Sequence, residues 1–280
     1  HAVFKFETPG TSPTDLNYRI EARVVDQSRR EIVSGSEIKV TRYSLFACLT
    51  PKQNLYRPGD RAEIGIKTLT ANQEPVSVEA KISVLKTGWQ PGPMEPLGQT
   101  ESRIPGDRMA VAGHYSGTEV LSKFVKTDAK GEARFEFEPS EDGYYVIQFT
   151  GYDNTSGEKI ESQASVYVCT KQSRDIGYRY GGLQIIPEKD TYTIGETARV
   201  MLVAERPDTW VLLTREAEEI YDHQMVHLEG PVRLLEFPVR DIDTPNVFLH
   251  ALSGDRYELK MHALELIVPP EEKFLNIKIT

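Results

Sequence analysis

Hydrophobic and polar positions along this chain alternate with a period of two over most of its length, so the elements it predicts are strands. The organising stretch is Asn54-Leu55-Tyr56-Arg57-Pro58-Gly59-Asp60. Pro58 presets φ at about −65°, and Gly59 accepts the positive φ required at the third position of a type II turn. Ala62, Ile64 and Ile66 then alternate with Arg61, Glu63 and Lys67, as in a half-buried strand. The stretch comes back 136 residues later as Asp190-Thr191-Tyr192-Thr193-Ile194-Gly195-Glu196, again followed by an alternating run from Thr197 to Leu202. Tyr56 and Gly59, with their counterparts Tyr192 and Gly195, are thus the candidate structural turn residues of a repeated β-module.

A second repeat marks module endings. Tyr145, Ile147 and Asp153 match Tyr18, Ile20 and Asp26 at an offset of 127, and Ile160, Ser162, Val166 and Val168 match Ile32, Ser34, Ile38 and Val40 at 128. One residue inserted in the intervening turn accounts for the difference. Repeats at this spacing indicate an array of domains rather than a solenoid. The expected fold class is all-β: tandem antiparallel immunoglobulin-like β-sandwiches, about seven strands each.

Four segments are expected. Residues 1–43 are the C-terminal part of a truncated module, with strands at Ala2–Glu7, Asn17–Asp26 and Glu31–Arg42. Residues 44–170 form a complete sandwich. Residues 183–268 form a second, with strands near Ala198–Glu205, Thr209–Glu216, Gln224–Glu229, Val232–Val239, Val247–Leu252 and Tyr257–Val268. Residues 269–280 start a further module, with Phe274, Leu275, Ile277 and Ile279 in its first strand. Residues 171–182 have the composition of a linker. Residues 86–118 carry so many glycines and prolines that a long loop, with room for one short strand, is expected there. Across Glu216–His227 a strand is favoured over a short helix, because no cap precedes the segment and Val226 and Leu228 continue an alternating run.

Composition narrows the function classes. The chain has 280 residues, 39% hydrophobic and 27% charged, which is ordinary globular material. A net charge of −9 argues against nucleic-acid binding, which needs a basic face. No apolar run approaches the roughly 20 residues of a membrane helix, so no direct membrane insertion is expected. The two cysteines, Cys48 and Cys169, lie at the head and tail of the central module. Strands of about nine residues put them at opposite poles, about 30 Å apart. A disulfide needs Cα atoms within about 7 Å, so two small buried or half-buried thiols are expected.

Candidate chemistry is thin. His223 and His227 sit four apart, a spacing that suits one metal on a helix, but on a strand they lie about 13 Å apart. His114, with Asp107 and Ser116 nearby, falls in the expected loop and reads as solvated. Glu216, Glu218, Glu219 and Asp222 lack the spacing of a calcium loop and read as a solvated acidic face. No catalytic, cofactor-binding or metal-binding residue is assigned, no cofactor is expected, and the chain is not expected to be an enzyme. Trp89, between Gly88 and Pro91, is the candidate partner contact; an aromatic there either anchors a partner or plugs the end of its own sandwich.

The order of motifs resembles a known family. Tyr-x-x-Gly-acid at a module opening, Asp128-Ala129-Lys130-Gly131-Glu132-Ala133 before a Phe-x-Phe strand, and Gly143-Tyr144-Tyr145 after it resemble macroglobulin domains of alpha-2-macroglobulin-like proteins. Trp210-Val211-Leu212-Leu213-Thr214-Arg215-Glu216, then Leu228-Glu229-Gly230, then Pro245-Asn246-Val247-Phe248-Leu249 resemble the bait-region-associated domain of the bacterial branch. The resemblance implies a structural segment of a periplasmic or extracellular, envelope-associated protease inhibitor. In such proteins a protease cuts a bait segment, the molecule collapses around it, and a thioester captures it. The implied partners are proteases, through the full-length protein, and neighbouring macroglobulin modules. The thioester motif, a Cys followed one residue later by Glu-Gln, is absent: Leu49-Thr50 follows Cys48, and Thr170-Lys171 follows Cys169. The rival expectation is an envelope or cell-surface binding array of immunoglobulin-like domains that recognises protein or glycan.

Overall fold

The computed structural model describes residues 5–7, 15–41, 43–92, 113–153, 157–255 and 258–270. Among them are seventeen β-strands and one 3-10 turn, Asp241–Asp243, with no α-helix. Strands β1 (Leu16–Val25) and β2 (Glu31–Val40) form an antiparallel hairpin. The first sandwich comprises β3 (Leu45–Pro51), β4 (Leu55–Tyr56), β5 (Ala62–Thr70), β6 (Glu79–Pro91), β7 (Gly113–Lys126), β8 (Glu132–Phe137), β9 (Gly143–Tyr152) and β10 (Lys159–Val168). Its two sheets have the orders β3-β5-β8 and β4-β10-β9-β6-β7. The second sandwich comprises β11 (Leu183–Pro187), β12 (Thr197–Ala204), β13 (Thr209–Glu216), β14 (Ile220–Leu228), β15 (Val232–Pro238), β16 (Asn246–Asp255) and β17 (Glu258–Ile267). Its sheets have the orders β11-β12-β15 and β14-β13-β16-β17.

Alternation builds both cores. Ala62, Ile64 and Ile66 on β5 face Ile82 and Val84 on β6 and Ile147 on β9 across the first sandwich. Val200, Leu202, Val211 and Leu249 do the same in the second. Each fully buried Val, Leu or Ile side chain among them contributes about 1.5–3 kcal/mol.

The two repeated turns make the same hydrogen bonds. Tyr56 and Tyr192 are both buried in their own cores. The Tyr56 hydroxyl accepts from the Gln53 N–H at 3.2 Å, and the Tyr192 hydroxyl from the Lys189 N–H at 3.3 Å. Asp60 N–H donates to Arg57 O, as Glu196 N–H does to Thr193 O. The acid then turns back: Asp60 Oδ2 accepts from Arg57 N–H and Glu196 Oε2 from Thr193 N–H, both at 2.8 Å. Gly59 has φ +86° and Gly195 φ +87°, and a Cβ at either would meet nothing within 4 Å. The cost of a side chain there is therefore conformational, not steric. Gly59→Val and Gly195→Val should each lose about 1–2 kcal/mol through forced positive φ, seen as a lower urea midpoint; variants that melt with the parent would refute this.

The two closing hairpins also correspond. Tyr18 pairs with Ile38 and Val24 with Ile32, as Tyr145 pairs with Val166 and Gly151 with Ile160. In both turns the opening Asp accepts from a residue in the left-handed region: Arg29 at φ 62° and Gly157 at φ 70°. They differ in cover. The Tyr145 face is buried under β3-β5-β8, whereas Val24 and Ile32 remain 63% and 66% exposed.

Three sequence expectations are corrected. Residues 5–7 carry no strand, and the rest of the segment expected from Ala2 lies outside the described residues. The expected loop at 86–118 is strand at both ends: β6 and β7 form one long hairpin in which Trp89 pairs with Tyr115 and Gln90 with His114. Gly113 serves the pairing, because a Cβ there would come within 2.5 Å of the Trp89 ring. His114 and Ser116 are therefore on a strand, while Asp107 lies outside the described residues, as do Phe274, Leu275, Ile277 and Ile279. Cys48, expected to be at least half-buried, is exposed on β3, and Cys169 is free and buried.

Candidate functional site: the joint between the sandwiches

The sequence of β12 explains why the two sandwiches meet. Val200, Leu202 and Ala204 enter the core of the second sandwich, while Met201 and Val203 point the other way and are equally buried. What covers them is the first sandwich and the linker. Leu55, Cys169 and Ile176 pack against Ile186, Met201 and Leu234 in a separate apolar cluster. The repeated turn is thus divided: Tyr56 points into its own core and Leu55 into the joint.

Polar contacts fix the register of this seam. Asn54 N–H donates to Glu188 O at 2.8 Å, and its side-chain amide donates to Pro187 O at 3.1 Å. Glu236 on β15 takes Arg57 on one oxygen at 3.0 Å and Lys171 on the other at 2.7 Å. The linker is clamped rather than loose. Trp89 N–H donates to Gly177 O at 2.9 Å, and Val232 N–H to Arg174 O at 3.1 Å. The Tyr115 hydroxyl donates to Arg179 O at 2.9 Å and accepts from Arg179 N–H at 3.0 Å. Gly230 lets the β14–β15 turn close on the linker, since a Cβ there would lie 2.2 Å from Arg174 O.

Aromatic rings line the rim. Trp89 meets Tyr115 edge-on at 5.0 Å, Tyr115 lies 5.5 Å from Tyr144, and Tyr144 lies 5.0 Å from Tyr178. Tyr178 packs edge-on against Tyr167 at 4.9 Å. Trp89 is half-buried, at the rim of the joint. Sequence reasoning missed Leu55, Met201, Tyr144, Tyr167 and Tyr178. The signal for Met201 was present: Val200–Ala204 is a continuous apolar run, the mark of a strand covered on both faces.

Burial tunes the chemistry of the joint. It pushes the Cys169 thiol up to about 12, with the nearby Asp142 charge adding to the effect, so this cysteine is not a nucleophile at neutral pH. Glu236 is held below the ordinary carboxylate range, first by its hydrogen bond from Lys171 and then by the charges of Lys171 and Arg57. A depressed carboxyl stabilises the fold above its ordinary value of 4.5, and that contribution is lost as pH falls through the folded value. Arg57 and Lys171 are more than half exposed, so solvent limits the effect to about 1 kcal/mol or less. The parent should therefore lose slightly more stability between about pH 7 and pH 3.5 than Glu236→Gln does, in paired urea titrations. Equal losses would count against the Glu236 bridge.

The other candidates are dispersed. His223 pairs across from Thr214 and His227 from Trp210, on the same face of β14. Glu216 Oε1 lies 2.8 Å from His250 Nδ1. Among the described residues no group of three or more His, Cys, Asp or Glu is placed to hold a metal ion, and no helix is long and apolar enough to cross a membrane.

Fold and joint together define an all-β tandem of antiparallel sandwich modules. No protein-family model matches the chain, and no curated protein matches its sequence. Among solved structures, it is similar to native Escherichia coli alpha-2-macroglobulin, at 12% identity and a TM-score of 0.33, over 91% of this chain and 17% of that one. Salmonella alpha-2-macroglobulin reacted with methylamine gives 11% identity and a TM-score of 0.34, over 92% and 17%. The D0-D1 domain of intimin gives 10% identity and a TM-score of 0.26, over 79% and 97%. The chain thus spans less than a fifth of either alpha-2-macroglobulin chain.

Proposed function

We propose that this chain is a non-catalytic scaffolding segment of an alpha-2-macroglobulin-like protease trap, working in the periplasm or outside the cell. Its contacts would be neighbouring macroglobulin modules, and proteases would meet it through the longer protein. The joint carries this reading. A trap must turn one cleavage into displacement of whole modules, and a linker that bends freely would absorb that displacement. Here the linker is hydrogen-bonded to both sandwiches, and the seam buries Met201 and Leu55. In this reading Trp89 serves the joint. The ordered motifs across residues 17–280 give the reading its family, and the missing Glu-Gln pair after either cysteine leaves capture chemistry to other parts of the protein.

The test uses the full-length protein. After incubation with proteases of several specificities, residual activity is measured on a large protein substrate and on a small peptide ester. A trap blocks the large substrate and spares the small one. Unchanged activity on both, for every protease tried, would overturn the proposal.

A further inference from the structure

A cleft at one pole of the second sandwich serves neither core nor joint. The β12–β13 turn, residues 205–208, forms one wall, and Ser253, Gly254 and Lys260 form the other. Trp210 stands in this cleft at 56% exposure. Its ring is held in place. It stacks on the cross-strand His227 at 4.6 Å and 22°. His227 Nε2 is in turn hydrogen-bonded to Asp208 Oδ1 at 2.6 Å. Asp208 adopts φ 56° there, a left-handed backbone that is uncommon outside glycine.

The open side of the cleft complements this. A Cβ added at Gly254 would meet nothing within 4 Å, so there is space in the cleft that Trp210 also lines. Charged side chains of both signs flank the ring: Glu205 pairs with Lys260, whose side chains are 10% and 17% exposed, Arg206 stands on the same wall, and Asp208 is hydrogen-bonded to His227. Carboxylates, Glu205 and Asp208, and cations, Arg206 and Lys260, stand side by side on the walls, so a charge of either sign on the ligand would meet its like as well as its opposite. A wholly apolar ligand would displace water from these polar side chains and offer them no hydrogen bond in return. A ligand with one apolar face and a hydroxyl-bearing edge fits both halves.

We propose that this cleft is a subsite for a neutral saccharide. A pyranose ring lies against the free face of Trp210, and its hydroxyls meet Asp208, Glu205 and Lys260. The inference rests on the cleft alone and is independent of the trap reading.

The test titrates the whole chain with three neutral trisaccharides, cellotriose, maltotriose and tri-N-acetylchitotriose, following the indole N–H resonance of Trp210 by NMR. That resonance is assigned by its loss in Trp210→Phe. The expected result is a saturable shift with at least one sugar, half-complete at about 1 mM, as suits a single shallow subsite. His227→Ala, which frees the ring without removing it, should weaken binding by about three- to tenfold, and Trp210→Ala should abolish the saturation transferred from protein to sugar. No saturable shift with any of the three sugars would overturn the proposal, as would undiminished binding to Trp210→Ala. The exposure of Trp210 allows either variant to keep the fold, which the dispersion of the remaining spectrum verifies.

Discussion

Replacing Asp243 by alanine should destabilise the second sandwich by about 3–5 kcal/mol, a fall of roughly 12–40 °C in its melting temperature for a domain of this size. Asp243 sits in the 3-10 turn, and its carboxylate receives Arg215 of β13 on both oxygens, Nε donating to Oδ1 at 3.0 Å. The side chains are 7% and 1% exposed. The same carboxylate accepts from Arg240 N–H at 2.6 Å, which ties the turn to the sheet. Removing it strands a guanidinium that cannot shed its proton, beside a Phe237 ring 5.2 Å away that offsets only part of the loss. The size of the effect comes from the orphaned charge, not from the strength of the pair. Adding Arg215→Met to Asp243→Ala should therefore recover most of the stability. Calorimetry of parent, single and double variants decides it: a double variant no more stable than Asp243→Ala would show that the buried charge is not the cause.

Much of this architecture was legible in the residues because strand periodicity and turn chemistry are local. The Tyr-x-x-Gly-acid turn carries its own instructions: proline or a β-former before, glycine for positive φ, and a carboxylate that bonds back to the chain. The hairpin repeat was legible for the same reason, but not the left-handed residue that closes each turn, which is an arginine in one and a glycine in the other. Local signals failed where glycine had a tertiary purpose. Gly113 and Gly117 suggested a loop, yet they lie in β7, where Gly113 makes room for Trp89 and Gly117 for Thr87. The joint was the least visible feature. Tyr144 and Tyr167 occupy outward positions on their strands, and nothing nearby in sequence says that the outward side is covered by a linker and a second domain. Only the unbroken Val200–Ala204 run carried that information, and it looks like ordinary alternation until its odd positions are counted as apolar too.

The repeated turn also shows how one motif can serve two interfaces. Consecutive residues on a strand point to opposite sides, so Tyr56 can lock its hydroxyl under its own sandwich while Leu55 reaches the neighbour. Thr191 occupies the position equivalent to Leu55 and is exposed. The pattern thus separates what folds a module from what docks it, and a substitution on one side need not disturb the other.

That separation gives the last prediction. Met201→Glu should open the joint while leaving both sandwiches folded. Met201 is fully buried against the joint cluster, whereas its neighbours Val200 and Leu202 face the core of the second sandwich. A carboxylate placed there lacks a partner in an apolar setting that includes Leu55 and Ile176, and keeping it dry costs several kcal/mol. Hydrating it requires only that the two sandwiches part, so separation is the cheaper response. Cys169 reports the event. Buried in the same cluster, with its thiol pushed up to about 12, it should resist a thiol reagent in the parent, where exposed Cys48 alone reacts. In Met201→Glu both thiols should react under native conditions, and a single melting transition should resolve into two. Gly230→Ala, which drives a Cβ against Arg174 O from the other side of the linker, should shift the thiol count the same way by a smaller amount. If Cys169 stays protected in Met201→Glu while the second sandwich itself unfolds, then that strand's outward face belongs to the domain's own stability, and the joint is not an independent structural unit.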